Sequence, residues 1–283
     1  MQIYKKITEL RAFRVKSINF EVLKQNSDMI SKNRIKYIRS LQMKKNRKAD
    51  GVFVAEGHKL VGDLLGRFEC VYIAAVEEWI EQNREAIAAV RDVDAVTDDE
   101  LSRISFVETP QQVFAIFRQP VYDVSLADVA PCELCLALDD VQNPGNLGTI
   151  VRLADWFGIK HVFCSQGCAD IFNPKTVQAT MGALARVQVH YISLDSQLAQ
   201  LPSSTPVYGT FLDGENLYHD DTLSQHGVIV MGNEGKGVSS AVASLVTHRL
   251  FIPNYPAGQE TSESLNVAVA TAVICAEFRR RAL

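Results

Sequence analysis

The stretch LCLALDDVQNPGNLGTIVRLADWFG, residues 134–158, decides the fold class of this chain. Its first part is an apolar run that predicts a buried strand over 134–141. Pro144 and Gly145 then turn the chain, and apolar residues recur at helical spacing over 146–157. We place Asn146 at the N-cap of that helix, where its side chain would satisfy free backbone amides. Taken alone, the stretch is a common strand, turn and helix with a surface arginine, and its Trp156 is expected in the core.

The alternation of short apolar strands with helices continues after this stretch. Repeated strand and helix units imply a mostly parallel sheet with helices on both faces, so the predicted class is α/β. In such sheets ligands gather at the carboxyl ends of the strands. The predicted strands are 161–165, 186–192, 207–212, 227–233 and 249–254, and the predicted helices are 174–184, 238–247 and 262–281.

A second, smaller α/β unit precedes the first. Its predicted strands are 51–57, 70–76 and 113–120, and its predicted helices are 58–66, 77–90 and a cationic amphipathic helix from Ser31. The length of 283 residues favours two domains, because one domain ordinarily has about 100–200 residues. PVYDVSLADVAP begins and ends with proline and lacks a period, which indicates a linker. We expect an extension over 1–30, a small domain over 31–119, a linker over 120–131 and a larger domain over 132–283.

Charge is distributed unevenly along the chain. Residues 1–48 hold 14 Lys/Arg and 3 Asp/Glu, a net of +11, while the remaining residues hold 15 and 30, a net of -15. A basic end on an acidic body predicts that a polyanion such as RNA binds there. The alternative is a solvated basic tail. The cations expected to contact phosphate are Lys32, Arg34, Lys36, Arg39, Lys44, Lys45, Arg47 and Lys48.

Composition and residue spacing argue against a membrane-spanning, a secreted or a zinc-binding protein. No apolar run approaches the ~20 residues that cross a bilayer, and the first residues lack the apolar core of a signal peptide. Six cysteines lie mostly among apolar residues, which suits reduced thiols in the cytoplasm. Cys132 and Cys135 have the spacing of zinc ligands. However, residues three apart in a strand point to opposite faces, so no metal is predicted.

Two further turns follow predicted strands. VIVMGNEGKGVSS, residues 228–240, has three glycines within six residues, which permits close approach of a ligand to the backbone. It is not a P-loop, because Gly237 follows Lys236 where a Ser or Thr is needed. The alternative is a helix-start turn with no ligand. In FIPNYPAGQETSESLNVAVATAVICAEFRR, residues 251–280, we expect residues 262–264 to open a long helix that offers free amides to a ligand or packs at a subunit contact.

The three stretches resemble, in order, the motifs of the SpoU (TrmH-like) RNA ribose methyltransferases of the SPOUT superfamily. The matching segments are NPGNLGTIVRLADWFG, then MGNEGKGVS, then IP followed by SLNVAVATA. NRIKYIRSLQ and FVAEGHKLV similarly resemble an L30e-like substrate-binding domain. The resemblance implies a deep trefoil knot, a homodimer with cofactor sites beside the subunit contact, and S-adenosylmethionine as the methyl donor to a ribose 2′-hydroxyl of rRNA or tRNA. No DNA partner is expected.

The resemblance also implies roles for individual residues. The catalytic set that it implies is Asn146, Arg152, Glu234, Ser264 and Asn266. The set expected to hold the cofactor, largely by backbone groups, is Thr210, Gly232, Ile252 and Leu265. The loop over 254–263 is a few residues longer than the family pattern, which affects its path and Ser264.

The arginine is the residue to which the family assigns proton removal. A guanidinium rarely gives up its proton, so we favour Arg152 as a fixed cation that binds phosphate and stabilises a developing alkoxide, and leave the base open. Asn146, Ser264 and Asn266 would orient the ribose, and Glu234 would accept backbone amides in the knotted loops.

Two other classes of function remain possible from the sequence. A catalytically silent RNA-binding protein would share the fold and the basic end, yet it should have lost Asn146, Arg152 or the glycines. An enzyme of phosphate transfer would explain GNEGKG, but no carboxylate dedicated to a nucleotide-bound metal can be placed.

Overall fold

Two separate β-sheets organise the chain in a computed structural model that describes residues 30–219, 223–256, 259 and 264–281. The predicted extension over 1–30 lies, but for Ile30, outside the described residues. The strands are β1 (Val52–Glu56), β2 (Cys70–Ala75), β3 (Val93–Ala95), β4 (Val113–Arg118), β5 (Leu134–Leu138), β6 (His161–Ser165), β7 (Gln188–Ile192), β8 (Val207–Asn216), β9 (Gly227–Met231) and β10 (His248–Phe251). The α-helices are α1 (Lys32–Ser40), α2 (Lys44–Asp50), α3 (His58–Leu64), α4 (Glu77–Gln82), α5 (Asp98–Ile104), α6 (Leu126–Val129), α7 (Pro144–Trp156), α8 (Pro174–Ala179), α9 (Leu194–Leu198), α10 (Ser240–Ala243) and α11 (Val267–Arg280). Among these helices none is long and apolar enough to cross a membrane.

The smaller sheet has the strand order β1-β4-β2-β3. β4 is antiparallel to both neighbours, and β2 and β3 are parallel. Sequence patterns missed β3 and α5, although Thr97 and Glu100 form a capping box at the start of α5. The predicted cationic helix is divided into α1 and α2 by a turn over residues 41–43, and this turn buries Leu41.

The larger sheet has the order β10-β8-β9-β5-β6-β7, and every pair of neighbours is parallel. This confirms the predicted class. All residues of β5 and β9 are buried, because helices cover both faces of a parallel sheet. The carboxyl ends of β8, β9 and β10 are neighbours at one edge, where the glycine-rich and polar turns follow.

The predicted starts of the helices at the first and third motifs were wrong. Pro144 occupies the first position of α7, where a proline has no hydrogen bond to lose, so Asn143 is the N-cap. Asn143 Oδ1 accepts from the amides of Gly145 at 2.8 Å and Asn146 at 3.1 Å. Asn146 therefore lies in the first turn with its side chain available for tertiary contacts. The long C-terminal helix likewise begins at Val267, with Asn266 as the N-cap.

The two sheets share a packed boundary. Phe53 of β1 stacks on Phe117 at 5.5 Å between ring centroids and meets Phe172 of the other unit at 5.2 Å. The second half of the predicted linker is not an open spacer, because α6 buries Leu126 and Ala130 against the larger sheet. The smaller unit therefore packs directly against the larger one.

Candidate active site

A hydrogen-bonded chain of three side chains joins the three sequence motifs. Asn146 Nδ2 donates to Glu234 Oε1 at 2.7 Å, and Asn266 Nδ2 donates to Asn146 Oδ1 at 3.1 Å. Asn266 Oδ1 accepts from the amides of Ala268 and Val269 at the start of α11, which sets the orientation of that amide. Residues 88 and 120 positions apart from Asn146 are thus brought into direct contact.

Among the described residues, Glu234 does not accept the backbone amides that were predicted as its partners. The contact found for its carboxylate is the Asn146 side chain, and the backbone amides of the loop are bound by residues that the sequence reading missed. Asn233 Oδ1 accepts from the amides of Gly235 at 2.9 Å and Lys236 at 3.0 Å, and Asp139 Oδ2 accepts from the Ser239 amide at 2.7 Å. An asparagine directly before a Glu-Gly pair is a typical Asx-turn signal and could have revealed Asn233.

Gly232 permits the chain to fold back on itself after β9. A β-carbon at this position would lie 2.3 Å from the Gly237 carbonyl carbon and 2.4 Å from the Val238 nitrogen, which is not sterically possible without moving backbone. Asn233 and Gly237 also pair through both backbone hydrogen bonds at 2.9 Å. The glycine is therefore needed for the close approach that shapes the loop.

The other residues expected at the cofactor lie at the same edge of the sheet. Thr210 lies in β8 directly after the residues that pair with β9, Gly232 follows β9 and Ile252 follows β10, and these three strands are neighbours. Between Gly209 and Glu215 the pairing of β8 with β10 shifts, so the intervening residues leave the regular ladder there. Leu265, half exposed at 50%, lies directly before the Asn266 cap.

Arg152 and Ser264 are not part of the hydrogen-bonded chain. Arg152 is exposed on α7, less than two turns after Asn146. Within the part of the chain that the structure describes, its guanidinium has no hydrogen bond or ion pair, which leaves all its donors free for an incoming ligand. Ser264 is exposed two residues before Asn266. The longer loop lies partly outside the described residues.

The basic segment requires one correction. Arg47 was expected to contact RNA, but it is 1% exposed and its Nη2 pairs with Asp170 Oδ2 at 2.5 Å. It is held inside because its Nη1 also donates to the carbonyls of Leu41 and Gln42. Arg34 is partly buried and pairs with Asp92 and Asp94, which neutralises its charge locally. The remaining six cations are exposed: Lys32, Lys36, Arg39, Lys44, Lys45 and Lys48.

These features define a class of α/β protein with a candidate ligand site at the carboxyl ends of a parallel sheet, beside the exposed Arg152. Comparison with protein-family models gives the family. A model of the SpoU rRNA methylase family matches residues 133–276, and a model of the MRM3-like substrate-binding domain matches residues 32–115. The chain belongs to the SpoU rRNA methylase family.

Individual relatives can be aligned with nearly the whole chain. A 23S rRNA (guanosine(2553)-2'-O)-methyltransferase of Bacillus subtilis is 32% identical over 87% of this chain and 96% of its own length. A TrmH-family structure from Porphyromonas gingivalis is 42% identical, with a TM-score of 0.79 over 90% of this chain and 100% of that one. An AdoMet-bound rRNA methyltransferase from Sinorhizobium meliloti is 32% identical, with a TM-score of 0.77 over 88% and 95%.

Proposed function

We propose that this chain is an S-adenosylmethionine-dependent RNA methyltransferase that acts on a ribose 2′-hydroxyl of rRNA or tRNA. The observation that carries the proposal is the contact of Asn146 with Glu234 and Asn266, because it assembles all three family motifs beside Arg152, which has no partner in the part of the chain that the structure describes. The names of the relatives support the reaction and favour ribosomal RNA.

The residues at the edge of the larger sheet fit the cofactor. The neighbouring ends of β8, β9 and β10 offer backbone groups for the polar parts of the nucleoside, and the exposed Leu265 offers an apolar contact for its base. Bound there, S-adenosylmethionine supplies an activated methyl group on a sulfonium. The chain itself has to orient the ribose toward that group.

Positioning is the main work of these side chains. An oriented intramolecular reaction gains ~7–11 kcal/mol over a bimolecular one. Asn146 is held from both sides, so its amide is fixed before RNA arrives. Arg152 binds the phosphate beside the target and stabilises the charge that develops on the 2′-oxygen as it loses its proton. Ser264 and Asn266 complete the polar surroundings of the ribose.

RNA capture is assigned to the smaller unit. Its exposed cations form no ion pair within the described residues, so they are available to phosphate: Lys32, Lys36, Lys44, Lys45 and Lys48. Arg39 joins them, although its Nε donates to the Arg103 carbonyl. Because the rest of the chain is acidic, this segment would supply most of the attraction for RNA.

The proposal also includes the oligomeric state, the domain boundaries and the cellular compartment of the protein. The packed helices α7 and α11 expose Trp156 and Val269, which supports a homodimer through this surface. The two family models match either side of residues 116–132, which supports domains over 31–119 and 132–283 joined by 120–131. Six free cysteines are consistent with a cytoplasmic protein.

The function is tested by methyl transfer from labelled S-adenosylmethionine to unmodified rRNA and tRNA transcripts, with mapping of the 2′-O-methylated position. Arg152→Ala should abolish transfer, and Arg152→Lys should restore little because lysine lacks the planar fork. Cofactor affinity by calorimetry should stay within about threefold for both variants. Arg84→Ala, an exposed arginine outside the site, is the control. RNA binding without transfer by the wild type would support the silent protein instead.

A further inference from the structure

A cleft of about 670 Å³ lies between the two units of the chain. This volume is within the ~300–1,000 Å³ of sites that hold small organic groups. Gln42, Glu56 and Phe106 line it from the smaller unit, and Pro144, Lys175 and Gln178 line it from the larger one. Pro144 is the first residue of α7, two positions before Asn146, so the cleft opens beside the candidate active site. Gln42 lies in the turn between α1 and α2, so the cleft also borders the cationic segment.

The interior of the cleft carries a buried carboxylate. Glu56 is 5% exposed, accepts from the Phe106 amide at 2.9 Å through Oε1, and accepts from the Ser105 hydroxyl through Oε2. A carboxylate has about four acceptor positions, so each oxygen retains one for a further donor. The other polar side chains that line the cleft are Gln42, Asn173, Lys175 and Gln178, and the amides of Gln42 and Gln178 can both donate and accept.

An aromatic side chain is positioned in the same cleft. Phe106 is half-buried and is braced edge-on by Phe114 at 5.8 Å between ring centroids. A braced ring loses little freedom when a ligand stacks on it. Lys175 is exposed at the cleft and can meet a phosphate outside it.

The chemistry of the cleft selects one part of a nucleotide. A phosphate would be repelled by the Glu56 carboxylate, whereas the amino and imino donors on a base edge would be bound by it. Unstacked bases are the parts of RNA that proteins read through aromatic stacking and hydrogen bonds to the base edge. The backbone of the same nucleotide would face Lys175 and the cationic segment.

We propose that the cleft between the two units binds one unstacked nucleobase of the RNA, close in sequence to the methylated nucleotide, with Phe106 as the stacking surface and Glu56 and Gln178 as readers of the base edge. This inference rests on the function proposed above. Residues at the boundary between the two units would then contribute to selection of the RNA substrate.

The first test compares three variants in binding and turnover on the RNA transcript that the wild type methylates. Phe106→Leu keeps an apolar side chain but removes the aromatic face, and should weaken RNA binding about 5- to 100-fold. It should raise KM for RNA while leaving kcat at saturating RNA and affinity for S-adenosylmethionine unchanged. Phe106→Tyr should retain wild-type binding within about twofold. Phe68→Leu, the same change outside the cleft, is the matched control.

The second test locates the RNA directly. The same transcript is made with 4-thiouridine, irradiated on the wild-type protein, and the crosslinked peptides are identified. Crosslinks to peptides that contain Phe106 or Gln178 are expected. Crosslinks confined to residues 32–41 and 43–48, or equal RNA affinity for Phe106→Leu and Phe68→Leu, would overturn the cleft proposal while methylation continues. If the wild type methylates no rRNA or tRNA, the proposed function fails and this inference fails with it.

Discussion

At the scale of single residues, Arg47 shows how a cationic pattern can mislead. It belongs to a run of Lys and Arg that suggests a solvated or RNA-binding surface, yet it is buried and pairs with Asp170 across the boundary of the two units. Its neighbours Lys44 and Lys48 remain exposed. Only three-dimensional packing distinguishes a structural cation from a docking cation in such a run.

The structural role of Arg47 can be separated from RNA binding. Arg47→Ala leaves the partly buried Asp170 without its counter-charge and the Leu41 and Gln42 carbonyls without their donor, so it should lower the free energy of unfolding by about 3–5 kcal/mol. Lys44→Ala should change that free energy by less than about 0.5 kcal/mol. In RNA binding measured at several salt concentrations, Lys44→Ala should reduce the salt slope by slightly less than one. Urea unfolding that shows Arg47→Ala to be as stable as Lys44→Ala would contradict the assignment.

At the scale of secondary-structure elements, β6 and β7 carry a buried histidine pair. His161 Nδ1 and His190 Nε2 are 3.2 Å apart, and the His190 ring stacks on Phe163 at 4.7 Å. Burial lowers the pKa of His190 to about 4 and also lowers the pKa of His161 from its ordinary value of 6.5. Both rings are therefore neutral near pH 7, and one donates to the other.

The pair should make the fold sensitive to acid. Below about pH 6.5 the two histidines bind protons in the unfolded chain but remain neutral in the folded protein. The free energy of unfolding therefore falls as the pH decreases from 6.5 toward about 4. His190→Phe removes the contribution of His190 to this linkage and keeps a ring for stacking on Phe163. The loss of Tm between about pH 7 and about pH 5 should be smaller for this variant than for the wild type. His58→Gln, an exposed control, should follow the wild type; equal losses for all three proteins would contradict the prediction.

At the scale of the whole molecule, α7 and α11 define a surface as well as a site. Their first turns bring Asn146 to Asn266, and at their other ends Arg279 Nε donates to the Phe157 carbonyl at 2.7 Å. Trp156 was expected in the core, but it is 84% exposed on this helix pair. Aromatic residues are enriched at protein–protein interfaces, so the exposure of Trp156 is consistent with a subunit contact there.

The proposed homodimer predicts the effect of a charge at Trp156. Trp156→Glu should convert the protein to a monomer in sedimentation equilibrium and weaken binding of S-adenosylmethionine, since the sites are expected beside the subunit contact. Val121→Glu, at a position 95% exposed in the segment between the units, should leave both properties unchanged. A wild type that sediments as a monomer would contradict the proposal.

Sequence patterns were sufficient to predict the class of fold, the parallel sheet and the positions of the three motifs. Those features depend on local properties: the apolar period of each strand and helix, and the turn residues that follow strands. The family resemblance also pointed to Asn146, Glu234 and Asn266, which the structure brings into contact. The helix starts predicted at the first and third motifs were wrong, because the choice of N-cap depends on which amides are free.

Contacts between side chains that are distant in sequence could be read only from the tertiary structure. The contact of Asn146 with residues 88 and 120 positions away, the burial of Arg47 and the exposure of Trp156 all depend on how distant segments pack. The cleft between the units likewise exists only because two separately patterned sheets lie against each other. Local periodicity carries no information about such pairings, since the same apolar face can be covered by any element of complementary shape.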